Sequence, residues 1–316
     1  MLPQNRRDFL RTSALAGIGL GVLGPTAVAR TYLPPARVLS PAAPGGLALT
    51  AAVDDALRLA GARPGASETL RMGVRRDLDG ETPGNVALTA GGLLQTAPGA
   101  VAGLLTRWRD GRLHEDPEDA GRRLGFALGW FAFRGARGAF GPLYADLPAG
   151  ERDARGVYVD AAVLRGRSGR SVDDVGAVDP AEVGELLALM GARSLVRFHT
   201  LNPDYDDIPG WVDRHAAWRE RQSAYLADLA RAYGAPDAGE LARHVRGPAA
   251  YGASDPFVAA ARGVAAGESP DLTGIAAAPP TTVYGRAVSN ALANLDAADR
   301  LLAGDLAPAA FVDAVR

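Results

Sequence analysis

Two stretches in the second half of the chain place apolar side chains on one side of a helix. Their apolar positions recur at alternating steps of four and three residues, and this spacing returns to one helix face. The first stretch, near 209–233, carries Trp211, His215, Trp218, Gln222, Tyr225 and Leu229; the second, near 283–303, carries Tyr284, Val288, Ala291, Leu295, Ala298 and Leu302. Because such stripes pack inside bundles, we expect both to be buried, Trp218 and Leu295 above all.

Other segments show helix signals without so clear a stripe. They lie near 51–61, 98–108, 118–137, 180–190, 237–246, 255–266 and 308–315. Asp179-Pro180 and Asp255-Pro256 each combine a capping acid with a proline suited to the first helical turn. Gly121, Gly125 and Gly129 recur every four residues and predict a smooth helix face that another helix, or alternatively a flat ligand or cofactor, can approach closely.

One segment has the alternation of a β-strand. Residues 155–164 read RGVYVDAAVL, in which Val157, Val159 and Ala161 alternate with their neighbours. A second short strand is predicted within 70–75. The sequence therefore predicts a mainly α fold, an irregular multi-helix bundle with at most a small β-sheet or hairpin.

The N-terminus contains three signals in the order of an export signal. Residues 5–11 read NRRDFLR, a weakly apolar stretch follows from 14 to 23, and Ala27-Val28-Ala29 forms a small-x-small cleavage site. This segment resembles the twin-arginine (Tat) export signal, with Arg6 and Arg7 as the pair. A soluble N-terminal helix and a retained membrane anchor remain as alternatives. Residues 19–24, GLGVLG, match a dinucleotide-binding pattern, but no strand precedes them and they lie inside the signal.

The resemblance implies a division of the chain and a location. Residues 1–29 would form the signal peptide, 30–49 a proline-rich tether and 50–316 a helical domain, with a sub-boundary near 165–178. We expect a periplasmic or other extracytoplasmic protein, held at the membrane if the signal is not cleaved. Because proteins on the twin-arginine route are exported already folded, the resemblance also favours a cofactor inserted before export or a partner exported together with the chain.

The amino-acid composition limits the kinds of cofactor and partner that the protein can bind. The chain has no cysteine, which excludes thiolate-ligated metals and covalent haem attachment through C-x-x-C-H. All 34 basic residues are arginine, a residue that binds carboxylates and phosphates in a bidentate way, so the surface favours acidic groups. The net charge is −2, and removal of 1–29, with three Arg and one Asp, would give −2 − 3 + 1 = −4. This acidic balance argues against nucleic-acid binding.

The most polar short stretch is FHTLNPDYDDIPGWVDRH, residues 198–215. A metal site there would use His199, Asp204, Asp206, Asp207 and His215 as ligands. Asn202, Asp204, Asp206 and Asp213 also match positions 1, 3, 5 and 12 of a calcium loop, although position 6 lacks the required glycine.

Helix capping is the other interpretation of this stretch. Asp206 or Asp207 would accept backbone N–H bonds at the start of a helix near Pro209, with Arg197 and Arg214 as nearby partners. His215 would then belong to the aromatic stripe. The remaining histidines carry weaker signals: His114 lies in an acidic loop, and His244 follows Glu240 at the i, i+4 spacing of a surface contact.

No known catalytic motif is present, neither a G-x-S-x-G elbow, nor H-E-x-x-H, nor a phosphate-binding loop. We therefore expect an exported accessory subunit that binds a protein partner, such as a membrane complex. The alternative is a periplasmic metal- or cofactor-dependent enzyme with its site around His199–His215.

Overall fold

The computed structural model describes residues 46–78, 98–111, 117–171, 174–201, 208–245, 250–269 and 271–315. These residues form α-helices joined by turns, and no strand occurs among them, so the predicted mainly α fold is confirmed. The helices are α1 (Gly46–Ala62), α2 (Glu68–Leu78), α3 (Pro98–Arg109), α4 (Pro117–Tyr144), α5 (Ala149–Arg167), α6 (Pro180–Leu201), α7 (Ile208–Gly234), α8 (Ala238–Val245), α9 (Pro256–Ala265), α10 (Leu272–Ala277), α11 (Val283–Ala303) and α12 (Pro308–Ala314). The predicted signal peptide and nearly all of the predicted tether lie outside the described residues.

The main core is built around α11. This helix packs against α4 and α1, and its stripe residue Leu295 is fully buried, as predicted. The contact with α4 is close at Gly135, where an added Cβ would lie 2.6 Å from the backbone oxygen of Asn290. Beside it, the Asn294 side chain donates to the Phe131 carbonyl at 2.9 Å. Of the predicted glycine row on α4, Gly125 and Gly129 are buried, and the close approach of another element to that row stays a prediction.

A second, smaller apolar cluster lies on the other side of α5. Helix α7 packs against α5 and α6, and the cluster contains Val157, Ala161, Val178, Tyr225, Leu229, Ala232 and Tyr233. Helices α6 and α7 form an antiparallel hairpin, because Ser194 bonds Gln222 at 3.0 Å and the Val178 N–H bonds the Gly234 carbonyl at 2.7 Å. We refer to these two helices as the α6–α7 hairpin.

Both predicted strands are wrong. Residues 155–164 belong to α5, and residues 70–75 belong to α2. Helix α5 is buried on two sides: Val159 faces the main core, whereas Val157 and Ala161 face the second cluster. A helix sandwiched in this way carries apolar residues at many successive positions, which locally imitates the alternation of a strand.

Helix ends follow their capping residues. The Asp255 carboxylate accepts from the Phe257 N–H at the start of α9, and Thr282 accepts from the Gly285 N–H at the start of α11. Helix α11 ends at Gly304, whose φ of 87° is a left-handed conformation that glycine adopts without strain. None of the described helices has the length and apolar character needed to cross a membrane.

Candidate functional site

The first two turns of α7 carry an aromatic stack. The rings of Trp211 and His215 are nearly parallel, with centroids 5.0 Å apart. The ring of Trp218 follows at 5.5 Å from His215, tilted by 31°. The spacing of four and then three residues brings these side chains to one face of the helix. His215 is therefore placed between two tryptophans, within the aromatic stripe that the sequence predicts.

Burial of this stripe is incomplete. Trp218 is 5% exposed, as predicted, and buried positions continue from there to Tyr233. Between 208 and 217, however, no described side chain of α7 is buried. Ile208 is 63% exposed and Val212 is 52% exposed. The expectation that the whole stripe enters the core is wrong for Trp211 and His215, which are only half-buried, since the buried α7 residues of the second cluster begin at Tyr225.

Ile208, Trp211, Val212 and His215 together form what we call the tip surface. They are spaced at i, i+3, i+4 and i+7, so they share one face at the closed end of the α6–α7 hairpin. A contiguous apolar face with aromatic members is the type of surface that proteins use to bind other proteins.

Most of the residues of the predicted metal site lie outside the described part of the chain. Asp204, Asp206 and Asp207 fall between α6 and α7, in residues 202–207, and so does Asn202 of the calcium register. His199 belongs to the last turn of α6, and the structure does not describe its side chain. The metal site and the cap by Asp206 or Asp207 both stay predictions. Among the described residues, no three His, Asp or Glu side chains are grouped in a way that could hold a metal ion.

His244 occupies a different position from the one predicted. Its Nε2 lies 3.0 Å from Glu240 Oε2, which is the expected i, i+4 contact. The imidazole, however, is buried and stacks on the Tyr158 ring at 5.4 Å between centroids. The imidazole is therefore part of the packing between α8 and α5, whereas the Glu240 side chain that it contacts is 44% exposed. His114 lies outside the described residues.

A fully buried carboxylate lies where α1 begins. Asp160, on α5, accepts from the Ala48 N–H at 2.7 Å through Oδ1 and from the Tyr225 hydroxyl at 2.7 Å through Oδ2. Burial raises the pKa of Asp160 to about 7, although the N–H of Ala48, the hydroxyl of Tyr225 and the N–H of Leu47 stabilise the ionised form. Asp160 therefore caps the N-terminus of α1, although it lies far from that helix along the chain.

A second buried polar cluster joins α1, α5 and α11. The Tyr284 hydroxyl donates to Asp55 at 2.7 Å, and Arg167 Nη1 lies 2.6 Å from the same carboxylate and 2.9 Å from the hydroxyl. Burial and the negative charge of Asp55 raise the pKa of Tyr284 well above its ordinary value. Tyr251 packs edge-on against Tyr284 at 5.0 Å. Donors and acceptors in this cluster are matched, which is the arrangement of a structural network.

Arg165 is a fully buried cation with a structural role. Its Nη1 donates to the Tyr233 carbonyl at 2.5 Å, and its Nη2 donates to the carbonyls of Asp174 and Gly176 at 2.7 and 3.0 Å. The guanidinium therefore fastens the open end of the α6–α7 hairpin and the preceding loop to α5. The planar guanidinium holds several N–H donors in fixed directions, so one side chain can bond carbonyl oxygens from different segments at once.

These buried clusters do not have the access that catalysis requires. Asp160, Arg165 and Tyr284 are each 0% exposed, so a substrate could not reach them without displacing packed side chains. Searches of family models, of curated proteins and of solved structures find no match for this chain. Of the features described, the tip surface is the one that is both chemically distinctive and accessible.

Proposed function

We propose that the protein is an exported accessory subunit that binds a protein partner through the tip surface. The observation that carries the proposal is the exposure of Ile208 and Val212 beside the Trp211–His215 stack. Large apolar side chains left in water on one helix face are typical of interaction sites. Their spacing is that of a helix which lays its apolar face into a groove of another protein.

The location is proposed from the N-terminal sequence. The arginine pair, the apolar stretch and the Ala-Val-Ala site support export by the twin-arginine route to the periplasm or an equivalent space. The predicted tether, 30–49, has its last four residues in α1. The rest of this proline-rich segment would then separate the helical body from the membrane, and this suits a subunit of a membrane complex.

Export is tested by replacing Arg6 and Arg7 together with lysine. The precursor should then accumulate inside the cell, whereas the unchanged chain should be recovered outside the cytoplasmic membrane with a new N-terminus near Arg30. Equal recovery of both chains outside the membrane would refute the proposed route.

Partner binding is tested in the native host with a tagged full-length chain. We expect one protein complex to co-purify at fixed stoichiometry. The double substitution Ile208→Asp with Val212→Asp should abolish co-purification, because it places two charges on an apolar contact face. Ala224→Asp is the matched control: Ala224 is exposed on the same helix and points to the opposite side, so this variant should retain the partner.

The same preparation tests the enzyme alternative. A monomer that carries one equivalent of a metal or a coloured ligand, and that binds no partner, would refute the accessory-subunit proposal and favour the site around His199–His215. Retention of the partner by the double-aspartate variant would instead refute the tip surface as the contact.

A further inference from the structure

The first turn of α1 is held by side chains from two other helices. Asp160 of α5 accepts the Ala48 N–H through one carboxylate oxygen and the Tyr225 hydroxyl of α7 through the other, both at 2.7 Å. The Leu47 side chain packs beside them against the second cluster. One buried carboxylate thus joins α1, α5 and α7, at the point where residues 1–45 enter the folded body.

The described groups that hydrogen-bond Asp160 are neutral donors, so none of them brings a positive charge that offsets the charge of its carboxylate. From α1 it receives backbone N–H groups, and from α7 it receives a neutral hydroxyl. Helix α4 brings Tyr144, whose hydroxyl is buried and has no hydrogen-bond partner in the described part of the chain. On its own helix, Arg155 lies near Tyr144 and donates to the Leu143 carbonyl at 2.9 Å. No cation among the described residues forms an ion pair with Asp160.

We propose that Asp160 is a pH-dependent clasp, which holds the first turn of α1 against α5 and α7 in acid and releases it progressively as the pH rises. When the turn opens, water solvates the carboxylate, so its ionisation no longer carries the free-energy cost of burying a charge. The open form therefore gains from ionisation, whereas the closed form resists it. The clasp is a property of the fold and does not depend on the proposed partner binding.

The direction of the pH effect, and the pH range over which it occurs, follow from the protonation equilibria of the Asp160 carboxyl in the open and closed forms. In the open form the carboxyl ionises near its ordinary pKa of about 4, and in the closed form burial raises that pKa to about 7. Between these values the closed form holds a proton that the open form has lost. The open population therefore rises about tenfold for each pH unit in this window, and roughly 100-fold from pH 5 to pH 8. Above the upper pKa it levels off.

Amide hydrogen exchange of the intact mature protein provides the measurement. Exchange rates at Leu47 and Ala48, divided by the intrinsic rate at each pH, give the open population of the first turn. We expect this ratio to rise roughly 100-fold from pH 5 to pH 8. The amide of Leu57, a buried residue farther along α1, reports global unfolding and should stay far better protected at every pH.

Two variants assign the effect to Asp160. Asp160→Asn keeps the shape and a hydrogen-bond acceptor but does not titrate, so its profile should be flat. Tyr225→Phe removes a donor that stabilises the ionised form, so the levelling-off should move to higher pH. Asp179→Asn is the control, because Asp179 is an exposed helix cap that accepts from the Ala181 N–H at 2.8 Å. This control should keep the slope of the unchanged chain.

The clasp is overturned by a flat profile in the unchanged protein, or by an unchanged slope in Asp160→Asn. It is also overturned if Leu47, Ala48 and Leu57 exchange with equal protection, because the opening would then be global. If Asp160→Asn does not fold, the Tyr225→Phe profile decides: a levelling-off that fails to move would show that the carboxylate is not the titrating group.

Discussion

Asp255 provides the sharpest test of how the C-terminal helices are held together. Its carboxylate is fully buried and accepts hydrogen bonds from two separate segments. Oδ1 accepts from the Phe257 N–H at 3.0 Å. Oδ2 accepts from the backbone N–H groups and the hydroxyls of Thr281 and Thr282, at distances between 2.8 and 3.2 Å. One side chain therefore caps α9 and fixes the segment that begins α11.

Asp255→Ala should lower the free energy of unfolding by about 3–5 kcal/mol. The substitution leaves the buried N–H groups of Phe257 and Thr282 and the part-buried N–H of Thr281 without an acceptor. Each buried group costs about 1–3 kcal/mol, and the partly solvated one costs less. Asp255→Asn should cost less, about 2–3 kcal/mol, because one oxygen remains while the amide nitrogen turns toward other donors. Asp179→Ala, at an exposed cap, should cost only about 1 kcal/mol.

Urea unfolding followed by circular dichroism measures these differences. With an m-value of about 3 kcal/mol/M, the Asp255→Ala loss lowers the unfolding midpoint by roughly 1–1.7 M, against about 0.3 M for Asp179→Ala. Similar midpoints for the two alanine variants would refute the argument, because they would mean that the buried N–H groups find other acceptors at no cost.

Three further predictions concern packing, the buried network and pH. Gly135→Ala should lower the free energy of unfolding by at least about 2 kcal/mol, measured in urea, because its Cβ would collide with the backbone of α11. Tyr284→Phe should cost about 1–3 kcal/mol in the same assay, since it removes the hydroxyl that Asp55 and Arg167 share. The raised pKa of Asp160 favours the protonated folded state, so the contribution of this group to stability is greatest in acid and is lost as the pH rises toward about 7. From pH 5 to pH 8 the unchanged protein should therefore lose about 2–3 kcal/mol more than Asp160→Asn, and an equal loss in both would contradict the assignment.

The helical character of the chain could be predicted because it rests on local periodicity. Trp218 and Leu295 belong to stripes that repeat over several turns, and a stripe of that length has few alternatives to burial in a bundle. The Asp255-Pro256 cap was predictable for the same reason, since the acid, the proline and the helix are adjacent in sequence. The second half of that site was not, because Thr281 and Thr282 approach only through the tertiary fold.

Features set by long-range packing could not be predicted in this way. Asp160 caps a helix that begins more than 100 residues earlier, and in the sequence it is only one polar residue in an alternating segment. The tip surface is a similar case. Trp211 and Trp218 belong to one stripe and have the same chemistry, so nothing in the local pattern distinguishes Trp218, which is buried, from Trp211, which is half-exposed.

The central position of α11 has a consequence for the timing of folding. Helices α1 and α4 both pack against α11, which is synthesised long after them. At about 5–20 residues per second, α1 leaves the ribosome roughly 10–50 s before the residues that cover it. During that interval the body is unfinished, although residues 1–29, the proposed export signal, have already been synthesised. If the proposed twin-arginine route is correct, a pathway that accepts folded cargo would have to wait until the last described helices are released, so the release of these helices, and not the synthesis of the proposed signal, would set the time of export.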